Sequence, residues 1–207
     1  GWDFRESNDK RRRRFVGTSP GPGEVPAPRR FEAALGGSRL HFAADWGVFS
    51  EEGIDAGTQL LFDVASAMPS ASCVLDVGVG YGALAVGLVS AGTAERAVGI
   101  DVDSVALYLA QINATAAGVP LELELADDPT TLDGTPLVVC NFPTHAKREA
   151  ADGLVRALAR CAPTALVLVV VHASLEHRYA KWFELGGARV APQARDEHVV
   201  LRLTTDG

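Results

Sequence analysis

The stretch from Val74 to Gly82 constrains the fold of this 207-residue chain more than any other. An apolar run leads into Asp76, glycines stand at alternate positions (Gly78, Gly80 and Gly82), and a helix-type apolar pattern follows. A strand, a glycine-rich turn and a helix in this order bring backbone close to a nucleotide-like ligand, because glycine has no Cβ to block the approach. The stretch therefore predicts a ligand-binding turn after a buried strand.

The acid before the glycines limits the choice of ligand. A dinucleotide would place its pyrophosphate at the helix N-terminus, where the Asp76 carboxylate would repel the phosphates. Asp76 instead suits a ligand with a positive or neutral end, such as S-adenosylmethionine, which has an ammonium, a sulfonium and no phosphate. The glycines alone do not decide, since Gly80-x-Gly82-x-x-Ala85 also fits a dinucleotide fingerprint when alanine is allowed third.

A second predicted strand, Ala97–Asp101, also ends in a carboxylate, and an acid there can accept hydrogen bonds from both ribose hydroxyls. Asp76, the three glycines and Asp101 together resemble the class I S-adenosylmethionine-dependent methyltransferases. The resemblance implies that the glycine loop passes beside the methionine part of the cofactor. It also implies that Asp76 holds the amino end of the cofactor and that Asp101 holds its ribose. The alternative is a Rossmann-type binder of another nucleotide.

Composition is consistent with one domain plus an extension. Hydrophobic residues make up 47% of the chain, enough for a sizeable core, and the longest apolar run, residues 165–171, has the length of a buried strand rather than a membrane span. No signal peptide is visible, although the chain opens at Gly1 rather than Met. Cys73, Cys140 and Cys161 are isolated, without metal-ligand spacing, and predict buried reduced thiols in a cytoplasmic protein.

The N-terminal arm, residues 1–30, differs from the rest in composition. It holds the basic block Lys10-Arg11-Arg12-Arg13-Arg14 and then a Pro- and Gly-rich stretch. Residues 1–40 carry nine basic and five acidic side chains, whereas residues 41–207 carry ten and 21. An acidic body is a poor general platform for RNA, because phosphate contacts need cations, but the basic block offers them locally. A solvated tail is the alternative reading of this block.

Residues 31–207 alternate strand and helix signals. Helices are predicted at 57–68, 82–91, 104–117, 147–160 and 174–185, and strands at 39–43, 74–77, 97–101, 121–125, 137–141, 165–171, 188–192 and 197–203. This alternation predicts an α/β Rossmann-like fold with a mostly parallel sheet and helices on both faces. The last two strands are too close for a helical crossover and predict an antiparallel hairpin. The methyltransferase resemblance implies seven strands with the last one antiparallel.

Polar side chains collect at the carboxyl ends of the predicted parallel strands, where ligands bind in such sheets. Asp76, Asp101, Asp127 and Asn141 all lie there. The resemblance implies that an acid after the third strand holds the adenine amino group, and Asp127 is the candidate. Its neighbour Asp128 is a second candidate, and turn formation before a proline is the alternative for both.

The fourth strand of the resembling domain ends in Asn141-Phe142-Pro143-Thr144-His145. Amino-methylating enzymes of this class carry Asn-Pro-Pro-aromatic here. In them the Asn side-chain oxygen and a following backbone carbonyl accept hydrogen bonds from the target NH2, and the aromatic stacks on the base. This chain departs twice, because Phe142 replaces the first proline and Thr144 replaces the aromatic. Phe142 is a candidate for stacking from a shifted position, and His145 for a base or phosphate contact.

An upstream motif narrows the resemblance further. Gly47-Val48-Phe49, followed by Asp55-x-Gly57-Thr58, resembles the segment before the glycine loop in small-domain methyltransferases such as the small-subunit ribosomal RNA guanine-N2 enzymes and their archaeal relatives. The resemblance implies a lid and a helix over the cofactor, with Phe49, Gly57 and Thr58 near it. A helix start capped by Asp55 or Thr58 is the structural alternative.

Taken together, these features predict an S-adenosylmethionine-dependent methyltransferase that acts on a guanine amino group in structured ribosomal RNA. Asn141, Phe142, Pro143 and His145 are its candidate catalytic residues, and His172, at the end of the fifth strand, faces the same rim. A small-molecule methyltransferase and a cofactor-binding scaffold without catalysis remain as alternatives, because the fourth-strand motif is altered. No metal and no membrane contact are expected, and the oligomeric state is open.

Overall fold

The computed structural model describes residues 3–9, 12–18, 28–44, 53–127, 129 and 136–205. Helices and strands alternate through most of this range. The strands are β1 Asp3–Asp9, β2 Arg12–Thr18, β3 Arg29–Leu35, β4 Ser38–Ala44, β5 Val74–Val77, β6 Ala97–Asp101, β7 Leu121–Leu125, β8 Leu137–Asn141, β9 Leu166–His172, β10 Arg189–Arg195 and β11 His198–Thr204. The helices are α1 Ala56–Ser66, α2 Ala83–Ser90, α3 Ser104–Ala117, α4 Arg148–Cys161 and α5 Glu176–Leu185.

Seven strands form one sheet in the order β10-β11-β9-β8-β5-β6-β7. Strands β5 to β9 pair in parallel, and β11 runs antiparallel to both β9 and β10. The prediction of a mostly parallel seven-stranded sheet with an antiparallel last strand is therefore confirmed. The chain proceeds from β5 toward one edge and returns through β8 toward the other, so a crevice lies at the carboxyl ends of β5 and β8.

Pleating divides the core into two clusters, one on each face of the sheet. In β8, Val138 and Cys140 join the cluster under α4 and α5, while Leu137 and Val139 join the cluster under α1, α2 and α3. Successive side chains of a strand point to opposite faces, so a strand buried on both faces is a continuous apolar run. The helices on both faces confirm the predicted layering.

Two hairpins were not anticipated from the sequence. Strands β1 and β2 pair antiparallel within the segment interpreted as an arm, and β3 pairs with β4, of which only the strand at 39–43 was predicted. The two-residue connection Gly36-Gly37 between β3 and β4, with both glycines at positive φ, is a hairpin signal that went unrecognised because no strand was predicted before it. The basic block obscured the strand pattern of β1 and β2. Residues 10 and 11, which connect β1 and β2, lie outside the described residues.

Asn113 of α3 ties the β3–β4 hairpin to the glycine loop. Its side-chain oxygen accepts from the Ala43 N–H at 2.7 Å, and its nitrogen donates to the carbonyls of Ala43 and Tyr81 at 2.9 and 2.8 Å. The side chain is 1% exposed, so these bonds replace water that it has lost. The hairpin is thereby held beside the loop that follows β5.

The predicted burial of the cysteines is confirmed for two of the three thiols. All three cysteines are free, with Cys73 and Cys140 buried and Cys161 half-buried. Burial raises the pKa of the Cys140 thiol far above its usual range, which disfavours the reactive thiolate. Within the part of the chain that the structure describes, no helix is both long and apolar enough to cross a membrane.

Candidate functional site

The glycine loop gives its three glycines different tasks. Gly78, Gly80 and Gly82 all adopt left-handed backbone, with φ of 76°, 55° and 89°. A Cβ added at Gly82 would lie 3.3 Å from Ala110 of α3, so this glycine also allows close helix packing. A Cβ at Gly78 or Gly80 would meet nothing within 4 Å, so these two face open space where a ligand can approach the backbone.

Asp76 lies beneath this loop and is 1% exposed. Its Oδ2 accepts from the Ala85 N–H at 3.0 Å, in the first turn of α2, whereas Oδ1 is buried without a hydrogen-bond partner among the described residues. Burial is the main reason that the pKa of Asp76 rises from 3.8 to about 7, and the nearby charge of Asp101 raises this pKa further. A buried carboxylate with one unpartnered oxygen favours a cationic donor beside it.

Asp101, at the end of β6, is bonded to the glycine loop. Its Oδ2 accepts from the Gly80 N–H at 2.9 Å, and its Oδ1 accepts from the Asp103 N–H at 3.0 Å. Asp103 in turn caps α3 by accepting from the Val105 N–H. Asp101 is only half-buried, so its carboxylate has room to accept further hydrogen bonds from a ligand.

We expect Asp101→Ala to weaken S-adenosylmethionine binding by about 1–3 kcal/mol, because alanine has no charged oxygen to accept hydrogen bonds from the ribose hydroxyls. Calorimetric titration of the variant measures this effect. Asp103→Asn serves as the control, since asparagine caps helices as well as aspartate does. Equal affinities of wild type and Asp101→Ala would remove Asp101 from the ribose site.

Asn141, at the end of β8, contacts the start of α1. Its side-chain nitrogen donates to Thr58 Oγ1 at 2.9 Å and to Asp55 Oδ1 and Oδ2 at 3.2 and 3.4 Å. Asp55 also caps α1 by accepting from the Thr58 N–H at 3.0 Å, and the Thr58 hydroxyl donates to Asp55 Oδ2 at 2.5 Å. The helix cap predicted for Asp55 is therefore present, and it is joined to the candidate amine-binding residue.

Gly57 lies between this cluster and β11. A Cβ at Gly57 would lie 3.0 Å from the His198 ring and 3.1 Å from Asp55 Oδ1. The absence of a side chain therefore gives room to His198, whose ring stands 5.4 Å from the His172 ring in an edge-to-face arrangement. Nearness of Gly57 to a cofactor stays a prediction, and Phe49 lies outside the described residues.

Phe142 is placed in the core rather than in the crevice. Its side chain is 3% exposed, and its ring packs on Tyr179 at 4.7 Å and on Phe183 at 6.0 Å between centroids. The prediction that Phe142 stacks on a base is therefore wrong for this structure, because both neighbours belong to α5 under the sheet. The backbone of Phe142 remains at the strand end, where its N–H donates to the Val170 carbonyl at 3.1 Å.

The residues after Phe142 form an exposed turn in which the Ala146 N–H donates to the Pro143 carbonyl at 2.9 Å. Pro143 and His145 are both solvent-exposed there, so His145 is accessible to a large substrate. His172 is exposed as well. Its Nδ1 accepts from the Ser174 N–H at 3.2 Å and so caps the short 3-10 turn Ala173–Leu175. Asp127 is exposed just after β7, where its contact with adenine stays a prediction.

The upstream segment is held to the glycine loop by Tyr81. The Tyr81 hydroxyl donates to the Gly53 carbonyl at 3.3 Å, and its ring packs against Phe31 and Phe42 with centroids 5.7 and 5.6 Å away. Gly53, the first residue that the structure describes after positions 45–52 of the upstream segment, therefore lies beside the loop.

The sequence analysis did not identify His198 or Asn113 as parts of the site. It also did not anticipate the bond between Asp55 and Asn141. The partners Asp55 and Asn141 are 86 positions apart, so no local signal could reveal the bond. Among the described residues, no three His, Cys, Asp or Glu side chains are grouped to hold a metal ion.

Comparison with known proteins places these features in a family. The family model described as "Methyltransferase small domain" matches residues 39–176. No match was found among curated proteins.

Solved structures with the same fold include RNA- and protein-modifying enzymes. The Thermus thermophilus 16S rRNA N2 G1207 methyltransferase RsmC, in complex with AdoMet and guanosine, is 22% identical with a TM-score of 0.77, and the match covers 99% of this chain and 58% of that one. The ribosomal protein L11 methylase of Lactobacillus delbrueckii subsp. bulgaricus is 17% identical with a TM-score of 0.59, covering 73% and 79%. At these identities the likeness establishes the fold.

Proposed function

The chain belongs to the methyltransferase small domain family, whose cofactor is S-adenosylmethionine, and on this premise we propose that it methylates an amino nitrogen of guanine in structured RNA. One observation carries the proposal. The open glycine loop above Asp76 and the amide of Asn141 stand at the carboxyl ends of the neighbouring strands β5 and β8. A methyl donor and an amine acceptor held there would meet in the same crevice.

The residues present fit the cofactor. The open space at Gly78 and Gly80 accommodates a ligand close to the backbone, and the unpartnered Oδ1 of Asp76 suits a cationic amino group. Asp101, half-buried and accepting from the loop, suits hydroxyl donors of a ribose. Three separate features therefore match the cationic, hydroxyl-bearing and phosphate-free character of S-adenosylmethionine.

When bound, the cofactor supplies a methyl group already activated by a sulfonium, so the protein's main task is to position the acceptor. The Asn141 side-chain oxygen would accept a hydrogen bond from the substrate NH2 and direct the nitrogen lone pair toward the methyl group. The carbonyl of Phe142 or Pro143 would accept from the second N–H. Orientation of this kind contributes a large part of the rate, because it removes the entropy cost of alignment.

Two lines support RNA as the substrate. The neighbour RsmC is described as a ribosomal RNA enzyme and was captured with guanosine. The exposed turn with Pro143 and His145 is open to a large substrate, and the N-terminal arm, residues 1–30, carries the basic block that phosphate contacts require. The match covers 58% of the length of RsmC. Substrate contacts that RsmC makes outside the matched part therefore say nothing about this chain.

We expect replacement of Arg11 to Arg14 by glutamine to weaken RNA binding. The negative slope of log K against log salt concentration should become shallower by about 0.7–0.9 for each phosphate that the block neutralises in wild type. Binding isotherms at several salt concentrations measure the slope. Glutamine at Arg156 and Arg160 of α4 provides a control in which two arginines are removed from the body. A slope equal to that of wild type would show that the basic block makes no phosphate contact.

A small-molecule substrate is the second candidate, and the burial of Phe142 favours it. With Phe142 in the core and Thr144 at the position where the motif has an aromatic residue, neither of these two positions offers a ring for a base to stack on. Digestion of methylated RNA to nucleosides and mass spectrometry distinguishes the two candidates. N2-methylguanosine would support the proposal, another methylated nucleoside would correct the target atom, and labelling confined to small metabolites would favour the second candidate.

A further inference from the structure

We infer that Asp55 is a positioning residue for the Asn141 amide, and this inference rests on the proposed function. It concerns which end of the amide is presented to the substrate. A substrate NH2 needs an acceptor, so the amide oxygen must face it and the amide nitrogen must face elsewhere. The contacts of Asp55 and Thr58 decide that orientation.

The acceptor character of Asp55 sets the direction. An ionised carboxylate only accepts hydrogen bonds, so the branch of the Asn141 amide that lies 3.2 Å from Asp55 Oδ1 must be the nitrogen. A reversed amide would place its oxygen against the carboxylate and its NH2 toward the substrate NH2, so both contacts would be unfavourable. The bonded arrangement leaves the oxygen on the branch that points away from α1.

Thr58 strengthens the same choice. Its hydroxyl hydrogen is used toward Asp55 Oδ2, so its lone pair is what remains for the Asn141 nitrogen at 2.9 Å. The chain of donors therefore runs in one direction, from Asn141 through Thr58 to Asp55. Thr58 is 6% exposed, which limits competition by water for these bonds.

A helix cap alone does not account for Asp55. Capping needs one acceptor for the Thr58 N–H, and serine or asparagine would serve equally. The Asp55 carboxylate instead receives the Thr58 N–H, the Thr58 hydroxyl and the Asn141 amide, which a single hydroxyl oxygen cannot match. Gly57 keeps the space beside Oδ1 free of a side chain.

The test separates capping from positioning. Asp55→Ser keeps a good cap but is too short to hold the Asn141 amide, whereas Asp55→Asn keeps the reach and part of the acceptor capacity. We expect kcat for methyl transfer to RNA to fall by about 10–100-fold in Asp55→Ser, less in Asp55→Asn, and by an intermediate factor in Thr58→Val. The affinity for S-adenosylmethionine should stay within about twofold in both Asp55 variants. Asp63→Asn, an exposed acid on the same helix, is the control and should leave kcat unchanged.

A second readout does not depend on turnover. The side-chain NH2 resonance of Asn141, identified by its absence in Asn141→Ala, should shift and exchange faster with solvent in Asp55→Ser than in Asp63→Asn. An unchanged resonance, or an unchanged kcat in an active enzyme, would overturn the inference. If wild type methylates no RNA, the proposed function fails, and the resonance still decides whether Asp55 fixes the amide. If Asp55→Ser fails to fold, Asp55→Asn and Thr58→Val carry both readouts.

Discussion

Replacing Asn141 with alanine is expected to reduce methyl transfer by at least about 10²-fold, because alanine provides no acceptor to orient the substrate nitrogen. Binding of S-adenosylmethionine should change by less than about twofold, since the glycine loop, Asp76 and Asp101 are untouched. The folded state should be little affected, because Asn141 is only half-buried and water can take its place beside Asp55. A lower kcat without a lower cofactor affinity identifies an interaction that serves the reaction.

Single-turnover transfer of labelled methyl groups measures the effect, with calorimetry for cofactor affinity. Gln111→Ala is the matched control, because it removes an exposed carboxamide from α3, away from the crevice. Transfer by Asn141→Ala within about threefold of wild type would exclude Asn141 as the amine acceptor. Loss of cofactor binding together with transfer would instead place Asn141 in the cofactor site.

At pH 8, Asp76→Asn is expected to relieve the cost of burying an ionised Asp76 and, in contrast, to lower the affinity for the cofactor. The pKa of Asp76 is about 7 in the folded protein, against 3.8 for an unperturbed aspartate. Between these values the folded state holds a proton that the unfolded state has released, so stability falls as pH rises and the full penalty is present above pH 7. The penalty is on the order of a few kcal/mol, and asparagine, which does not ionise, avoids it.

Urea unfolding of both proteins at pH 5 and pH 8 measures this effect. The free energy of unfolding of wild type relative to Asp76→Asn should decrease between the two pH values. The comparison of pH values matters more than the absolute difference, because the new amide NH2 would be left without a partner at a cost of about 1–3 kcal/mol. A difference independent of pH would show that Asp76 does not titrate in this window.

The same carboxylate should favour the cofactor. A cationic amino group beside Asp76 stabilises the ionised form, so binding in wild type should release a proton near and below pH 7. Asp76→Asn should lose about 1–3 kcal/mol of affinity at pH 8 and release no proton. Calorimetry in buffers of different ionisation enthalpy measures both quantities, with Asp103→Asn as the control. Undiminished affinity in Asp76→Asn would remove Asp76 from the cofactor site.

Local patterns predicted the central sheet well. The bounds of β5 to β8 and of α3 agree residue for residue with the sequence analysis, because these elements have uninterrupted apolar patterns or clear ends. Helix α3, for example, begins after the Asp103 cap and ends at Gly118 in left-handed backbone. The glycine loop was predictable for the same reason, since its glycines need positive φ.

Long-range relations were beyond such patterns. The insertion of β11 between β9 and β10 and the bond from Asn141 to Asp55 depend on contacts between distant residues. Phe142 shows how a motif misleads when one residue changes. An aromatic at the first proline position suggested stacking on a substrate, yet strand alternation turns the side chain toward Tyr179 and the core.

Incubating the protein with labelled S-adenosylmethionine and total unmodified RNA from a matched host tests whether RNA is the methyl acceptor. Wild type, Asn141→Ala and a reaction without RNA should be compared after cofactor binding has been verified by calorimetry. We expect label in RNA with wild type and none above background with the other two. Absence of label in RNA from a wild-type protein that binds the cofactor would contradict it.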